Sequence, residues 1–162
     1  MVGSIQNVWD DVNAMTNPIK AKLIAREGNS TIDTIEFMFN PTELNFDRTV
    51  NLNSSPGSRT DSGVPKISFG SPEPWRLTIS NIVFDTYESG GNVYTEYISK
   101  FRQAVEFLDG KDRPPIYVFT WGSQEYLRCF VQSLSYKLTL YLPDGTPVRS
   151  VVNLTLVEVA SL

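Results

Sequence analysis

The sequence predicts a mainly β fold: a barrel or sandwich of about seven or eight strands with one flanking α-helix. Short runs rich in β-branched and aromatic residues alternate apolar with polar positions, as Leu77 and Ile79 do against Arg76, Thr78 and Ser80. Clusters of Gly, Pro, Asn and Asp punctuate these runs at close intervals. A long apolar stripe at helical spacing appears in the main body of the chain only over residues 92–109. At 162 residues, 41% hydrophobic and 12% aromatic, the chain is long and apolar enough to bury one core.

Residues 1–18 read as a separate N-terminal segment and residues 19–162 as a single β domain. Within the segment, Val2, Ile5, Val8, Trp9, Val12 and Met15 form an amphipathic helical stripe. That stripe packs either on its own domain or on a neighbouring protein. Asn17-Pro18 ends it. Strands are expected from Lys20 to Arg26, from Thr34 to Phe39 and around Leu44–Arg48, with a turn at Glu27–Ser30 and a break at Asn40-Pro41. Residues 51–65, rich in Ser, Asn, Gly and Pro, read as a long loop, the kind that serves contacts. Lys66–Phe69 is a brief strand, and Trp75–Phe84 a longer one.

The helix is expected over Asn92–Asp109, with Tyr94, Tyr97, Ile98, Phe101, Val105 and Leu108 facing inward. Asn92 is its N-cap and Gly110 its stop, with Arg113-Pro114-Pro115 forbidding continuation. Ile116–Trp121 follows as a strand closed by Gly122-Ser123. Tyr126–Leu142 is a long strand whose apolar phase flips near Gln132, which predicts a bulge. Pro143-Asp144-Gly145 is a turn, and Val148–Val159 returns to form a hairpin. Trp75, Phe84, Tyr97, Phe101, Phe119, Trp121 and Tyr136 are the expected aromatic core.

Composition removes several kinds of chemistry. With no histidine, the chain has no Ser-His-Asp or Cys-His machinery and no His-ligated metal. The single cysteine, Cys129, excludes an internal disulfide and a thiolate cluster, and reads as a small buried hydrophobe. A net charge of −4 speaks against nucleic-acid binding over a broad surface and against a polybasic membrane patch. No apolar run has the length of a transmembrane helix, and no basic residue precedes Lys20 as a signal peptide would require. The expectation is a chain made in the cytoplasm. No spacing among the 18 Asp and Glu residues selects a catalytic pair. A carboxylate-based hydrolase is the remaining enzymatic alternative, and the reading is of a protein that is no enzyme, with no cofactor and no metal. What remains is strand edge, whose unpaired N–H and C=O groups invite self-association.

Several segments, in order and with matching gaps, resemble the tube and tube-initiator family of contractile injection systems. They are Phe37-Met38-Phe39-Asn40-Pro41-Thr42-Glu43-Leu44, Phe84-Asp85-Thr86-Tyr87, and Arg113-Pro114-Pro115 followed by Phe119-Thr120-Trp121-Gly122. The last is Leu142-Pro143-Asp144-Gly145-Thr146-Pro147-Val148-Arg149. The resemblance runs from about Lys20 to Glu158. It implies a phage tail tube-like fold and a homohexameric ring between a spike or hub protein and the inner tube. Its partners are further copies, an adjacent tube or initiator ring, and baseplate components. It implies assembly in the bacterial cytoplasm into a phage tail-like particle, either released or membrane-anchored. A baseplate adaptor or tail-completion protein of the same particle is the alternative within this resemblance.

Many relatives carry a peptidoglycan-binding LysM module after this domain. Residues 19–162 contain none, so no cell-wall binding is expected of them. The motif residues Phe39, Asn40, Pro41, Phe84, Asp85, Tyr87, Arg113, Pro114, Trp121, Gly122, Pro143, Asp144 and Gly145 are expected to shape the scaffold. The candidate contact residues are Ile5, Trp9 and Val12 in the N-terminal segment, and Ser54, Arg59 and Asp61 in the 51–65 stretch.

Overall fold

The computed structural model describes residues 17–160, so the N-terminal stripe with Ile5, Trp9 and Val12 lies outside the described residues. The chain forms β1 (Ala21–Glu27), β2 (Ser30–Glu36), β3 (Asn45–Asp47), β4 (Val50–Arg59), β5 (Pro65–Pro72) and β6 (Arg76–Asp85). A π-helical turn over Tyr94–Ile98 then runs into α1 (Ser99–Ala104), followed by β7 (Ile116–Trp121), β8 (Gln124–Tyr141) and β9 (Pro147–Glu158).

Seven strands make one antiparallel sheet in the order β2-β1-β7-β8-β9-β6-β3, while β4 and β5 pair only with each other. The large sheet curls strongly without closing, since its terminal strands β2 and β3 are not paired. The curl brings Phe46 on β3 to within 6.1 Å of Tyr126 on β8, ring centre to ring centre. The predicted bulge in β8 is present: its register with β9 shifts between Val131 and Ser133. There the buried set passes from Leu127, Cys129 and Val131 to Leu134, Tyr136 and Leu138, so a strand of 18 residues keeps one apolar face on the core while bending.

The concave side of the sheet and the helical segment enclose the core. Phe37, just past β2, is fully buried and contacts Phe84, Phe101 and Phe119 at centroid distances of 6.5, 6.4 and 6.0 Å. Phe84 in turn packs on Tyr97 at 4.7 Å. Burial of such side chains stabilises by roughly 1.5–3 kcal/mol each, so this cluster joins β2, β6, β7 and α1 into one body. Trp121 and Tyr136 pack on it partly buried, but Trp75 is 38% exposed and belongs to the surface. The Arg48 guanidinium lies over its ring, 5.4 Å from the centroid.

Two expectations are corrected. Residues 51–65 are no loop: most of them lie on β4 and β5, which raises the strand number to nine. The polar composition hides a hairpin whose alternation begins earlier, at Val50 and Leu52, and resumes at Ile67 and Phe69. The helix is also shorter than residues 92–109. Asn92 does cap it, its Oδ1 accepting from the Tyr94 and Thr95 amides at 3.0 and 3.3 Å. Helical structure nevertheless stops at Ala104, and Gly110, with φ of 72°, belongs to a later turn. Past Ala104 the Leu108 amide donates to the Arg113 carbonyl, which draws the chain out of the helix and leaves Phe107 68% exposed.

Candidate interaction surfaces

The motif segments divide into residues that lock the frame and residues that stay at the surface. Asn40 clasps the start of β1: its Oδ1 accepts from the Ala21 amide and its Nδ2 donates to the Ile19 carbonyl, both at 2.9 Å. Pro41 behind it is buried. Trp121 Nε1 donates to the same Ile19 carbonyl at 3.1 Å, so two distant motifs converge on one strand end. Gly122, at φ of 65°, turns β7 into β8.

Arg113 and Lys111 both bind Glu27, with Arg113 Nη2 at 3.1 Å from Oε2, and bolt the Arg113-Pro114 corner to the β1–β2 hairpin. The Lys111 hydrogen bond, followed by that of Arg113, holds the Glu27 carboxyl below its ordinary range despite some desolvation. In the β8–β9 hairpin that starts at Pro143, Asp144 Oδ1 accepts from the Thr146 amide at 3.0 Å, and Gly145 has φ of 88°.

At the C-terminal end of β6, three motifs meet. The Asp85 carboxylate accepts from the Tyr87 amide at 2.9 Å and from Arg149 Nε at 2.8 Å. Those bonds, Tyr87 first, hold its carboxyl below the usual range. Thr86, buried beside it, donates to the Gly91 and Val148 carbonyls at 2.5 and 3.2 Å. Around this framework Met38, Phe39, Asp85, Tyr87, Glu88 and Arg149 line a concavity of about 410 Å³. Phe84 is fully buried beneath, whereas Phe39 and Tyr87 are 51% and 57% exposed on its rim. Two motif aromatics left uncovered beside a fixed ion pair make this concavity a candidate contact surface. Sequence reading treated both as frame. Their separation along the chain hid their convergence.

The second surface is the β4–β5 arm. It continues the β3–β6 ladder beyond Arg76, anchored at its root by Arg48 Nε donating to the Glu73 carbonyl at 2.7 Å. Leu52 stands opposite Phe69, and Val50 and Ile67 lie on the same face. These side chains are 50–79% exposed. The other face is polar, with Asn51, Asn53 and Ser68. Of the predicted contact residues, Ser54 pairs with Ile67 in the ladder, while Arg59 and Asp61 are exposed near the arm's tip.

The third feature is backbone. Among the described residues β2 has no strand neighbour on its outer side, where the Thr34 amide donates to Asp33 Oδ1 at 2.8 Å and its carbonyl accepts from Lys100 Nζ at 3.3 Å, and β6 beyond Thr78 has none opposite β9. The convex face of β8, β9 and β6 is mixed: Ser133, Ser135, Asn153 and Thr155 stand among Val83, Val151, Lys137 and Arg149. Asn153 joins its strands, accepting from the Asn81 amide at 2.8 Å and donating to Ser135 at 3.3 Å.

Most ionised carboxylates with a partner are at the surface in pairs such as Lys100–Asp33 and Lys22–Glu36. Among the described residues no three His, Cys, Asp or Glu side chains gather as a metal site, and no helix is long and apolar enough to cross a membrane. A family model described as contractile injection system tube protein matches residues 13–162. No curated protein matches the chain.

Proposed function

Since the chain belongs to the contractile injection system tube protein family, we propose that it is a structural subunit of the inner tube or of the tube initiator, assembling as a homohexameric ring. The tube-type structural role and a place in the particle follow from the family. In this reading the ring lies between the spike or hub and the rest of the tube.

The observation that carries the reading is the pair of open sheet margins. One subunit offers the outer edge of β2, another the unpaired length of β6, and antiparallel backbone pairing between copies extends the sheet around an axis. The β2 margin is seven residues long, and pairing there displaces the bonds that Asp33 and Lys100 make to the Thr34 amide and carbonyl; the β6 margin is the stretch beyond Thr78. The convex β8–β9–β6 face then lines the channel. Its Ser, Thr and Asn side chains stand among Val83, Val151 and Lys137, while Arg149 on the same face is paired with Asp85. The chain acts by shape and carries no catalytic step, and its partners are further copies and neighbouring particle components.

An electron cryomicroscopy map of the assembled particle tests this. Six copies around the particle axis, with β2 against β6 of the next subunit, is the expected result. Density for this chain off the axis, as in a baseplate adaptor, overturns it.

A further inference from the structure

We propose that Asp33 and Lys100 form a latch on the outer margin of β2, which holds that margin closed in the free subunit and yields to the incoming strand of a second copy. The proposal rests on the ring reading above and adds what keeps free copies apart.

The latch imitates a strand. Where two antiparallel residues form a hydrogen-bonded pair, the partner accepts from the amide and donates to the carbonyl of the same residue. At Thr34 both bonds are made by side chains. Asp33 Oδ1 accepts from the Thr34 amide at 2.8 Å, and Lys100 Nζ donates to the Thr34 carbonyl at 3.3 Å. Lys100 Nζ also donates to Asp33 Oδ1 at 3.0 Å, so the ion pair fixes donor and acceptor side by side. Thr34 stands opposite Ile24 of β1 and lies at the middle of the seven-residue margin. A charged residue at mid-edge is a common way to stop sheets from joining.

The surroundings leave the latch room to open. Lys100 reaches from α1 to β2 between two recesses of about 380 and 290 Å³. Thr34, Ile35 and Glu36 line the first, and Ile32 and Asp33 the second. The side chains of Lys100 and Asp33 are 40% and 45% exposed. An ion pair this open to water is weak, whereas a paired strand replaces its bonds and adds others along the margin. The latch therefore delays pairing without forbidding it. Guarding one margin is enough, because every β2–β6 junction in a heterologous ring uses one copy of β2. Isolated subunits stay single, and pairing waits for a site that adds contacts of its own.

The test measures self-association of the purified full chain by sedimentation velocity. The natural chain is expected to be a monomer at micromolar concentration. Lys100→Met keeps the stem and removes the ammonium, and Asp33→Ala removes the acceptor. Each is expected to strengthen self-association about tenfold, the weight of one competing hydrogen bond to a charged group. Lys100→Arg keeps a donor at the edge and is expected to leave the chain a monomer. Thr34→Pro added to Lys100→Met removes the amide that an incoming strand must use, at an edge where proline is tolerated, and is expected to restore the monomer. A natural chain that assembles by itself overturns the proposal. So do latch variants that associate no more than the natural chain, and association that Thr34→Pro leaves in place. These results leave the ring reading intact. A particle map with β2 away from every subunit junction overturns the ring reading alone when the variants behave as expected.

Discussion

The aromatic cluster around Phe37 and the β4–β5 arm use the same ingredients to opposite ends. Both are strand-borne and rich in large apolar side chains. In the first, Phe37, Phe84, Phe101 and Phe119 are fully buried by their own chain. In the second, Leu52, Ile67 and Phe69 face outward from a hairpin that, among the described residues, has no other strand beside it. Alternation therefore marks which residues are to be covered and leaves open what covers them. In the body the cover is α1 and the curled sheet. In the arm no described element supplies one.

The comparison breaks if the body tolerates the losses expected of the arm. Phe37→Ala leaves a hole between β2, β6, β7 and α1, and the expected cost is about 3–5 kcal/mol of unfolding free energy, read by denaturant titration. For a domain of this size that consumes much of the total stability, so soluble yield and assembly fall together. Asn40→Ala removes the two hydrogen bonds to Ile19 and Ala21 and frees the start of β1. A loss of about 1–2 kcal/mol is expected, with faster hydrogen exchange at the Ala21 amide. Equal stability of either variant with the natural chain would mean that the motif does not hold the body.

A smaller effect separates the ion pairs of the body from its apolar packing. Asp85 and Glu27 titrate below their ordinary values, 3.8 and 4.5, because their charged forms accept hydrogen bonds in the folded state. Groups depressed on folding contribute stability above the unfolded pKa and lose it as pH falls through the folded one. The melting temperature is thus expected to be flat on this account from neutral pH to about 5 and to fall below about 4. Asp85→Asn flattens part of that fall. An acid profile unchanged by the substitution would remove Asp85 from the linkage.

Local rules found much of the body. Ile116–Trp121 was legible to the residue, because β-branched and aromatic residues run unbroken between Pro115 and Gly122. The β8 bulge was legible because a flip in apolar phase has few other causes. The Asp144-Gly145 turn sets its own hairpin, and Asn92 announced its cap. The misses have different origins. The helix end depends on the Arg113 carbonyl reaching Leu108. The concavity exists because Phe39, Tyr87 and Arg149, spread over more than a hundred positions, meet at the end of β6. The arm looked like a loop because Ser, Asn and Gly dominate its tip, while the apolar residues that pattern it sit near its root.

The smallest expected effect sharpens the comparison most. Leu52→Thr with Phe69→Thr places a β-branched residue at each position, so the backbone preference for the ribbon is retained. Neither side chain packs on the body, and both are more than half exposed. Unfolding free energy of the isolated chain is therefore expected to stay within about 0.5 kcal/mol, as for other surface changes. A drop of 2 kcal/mol or more would place the arm's apolar face against its own domain in solution, since only buried apolar contacts cost that much on truncation. A stable double variant that no longer enters particles would instead confine the function of those residues to what the next subunit buries.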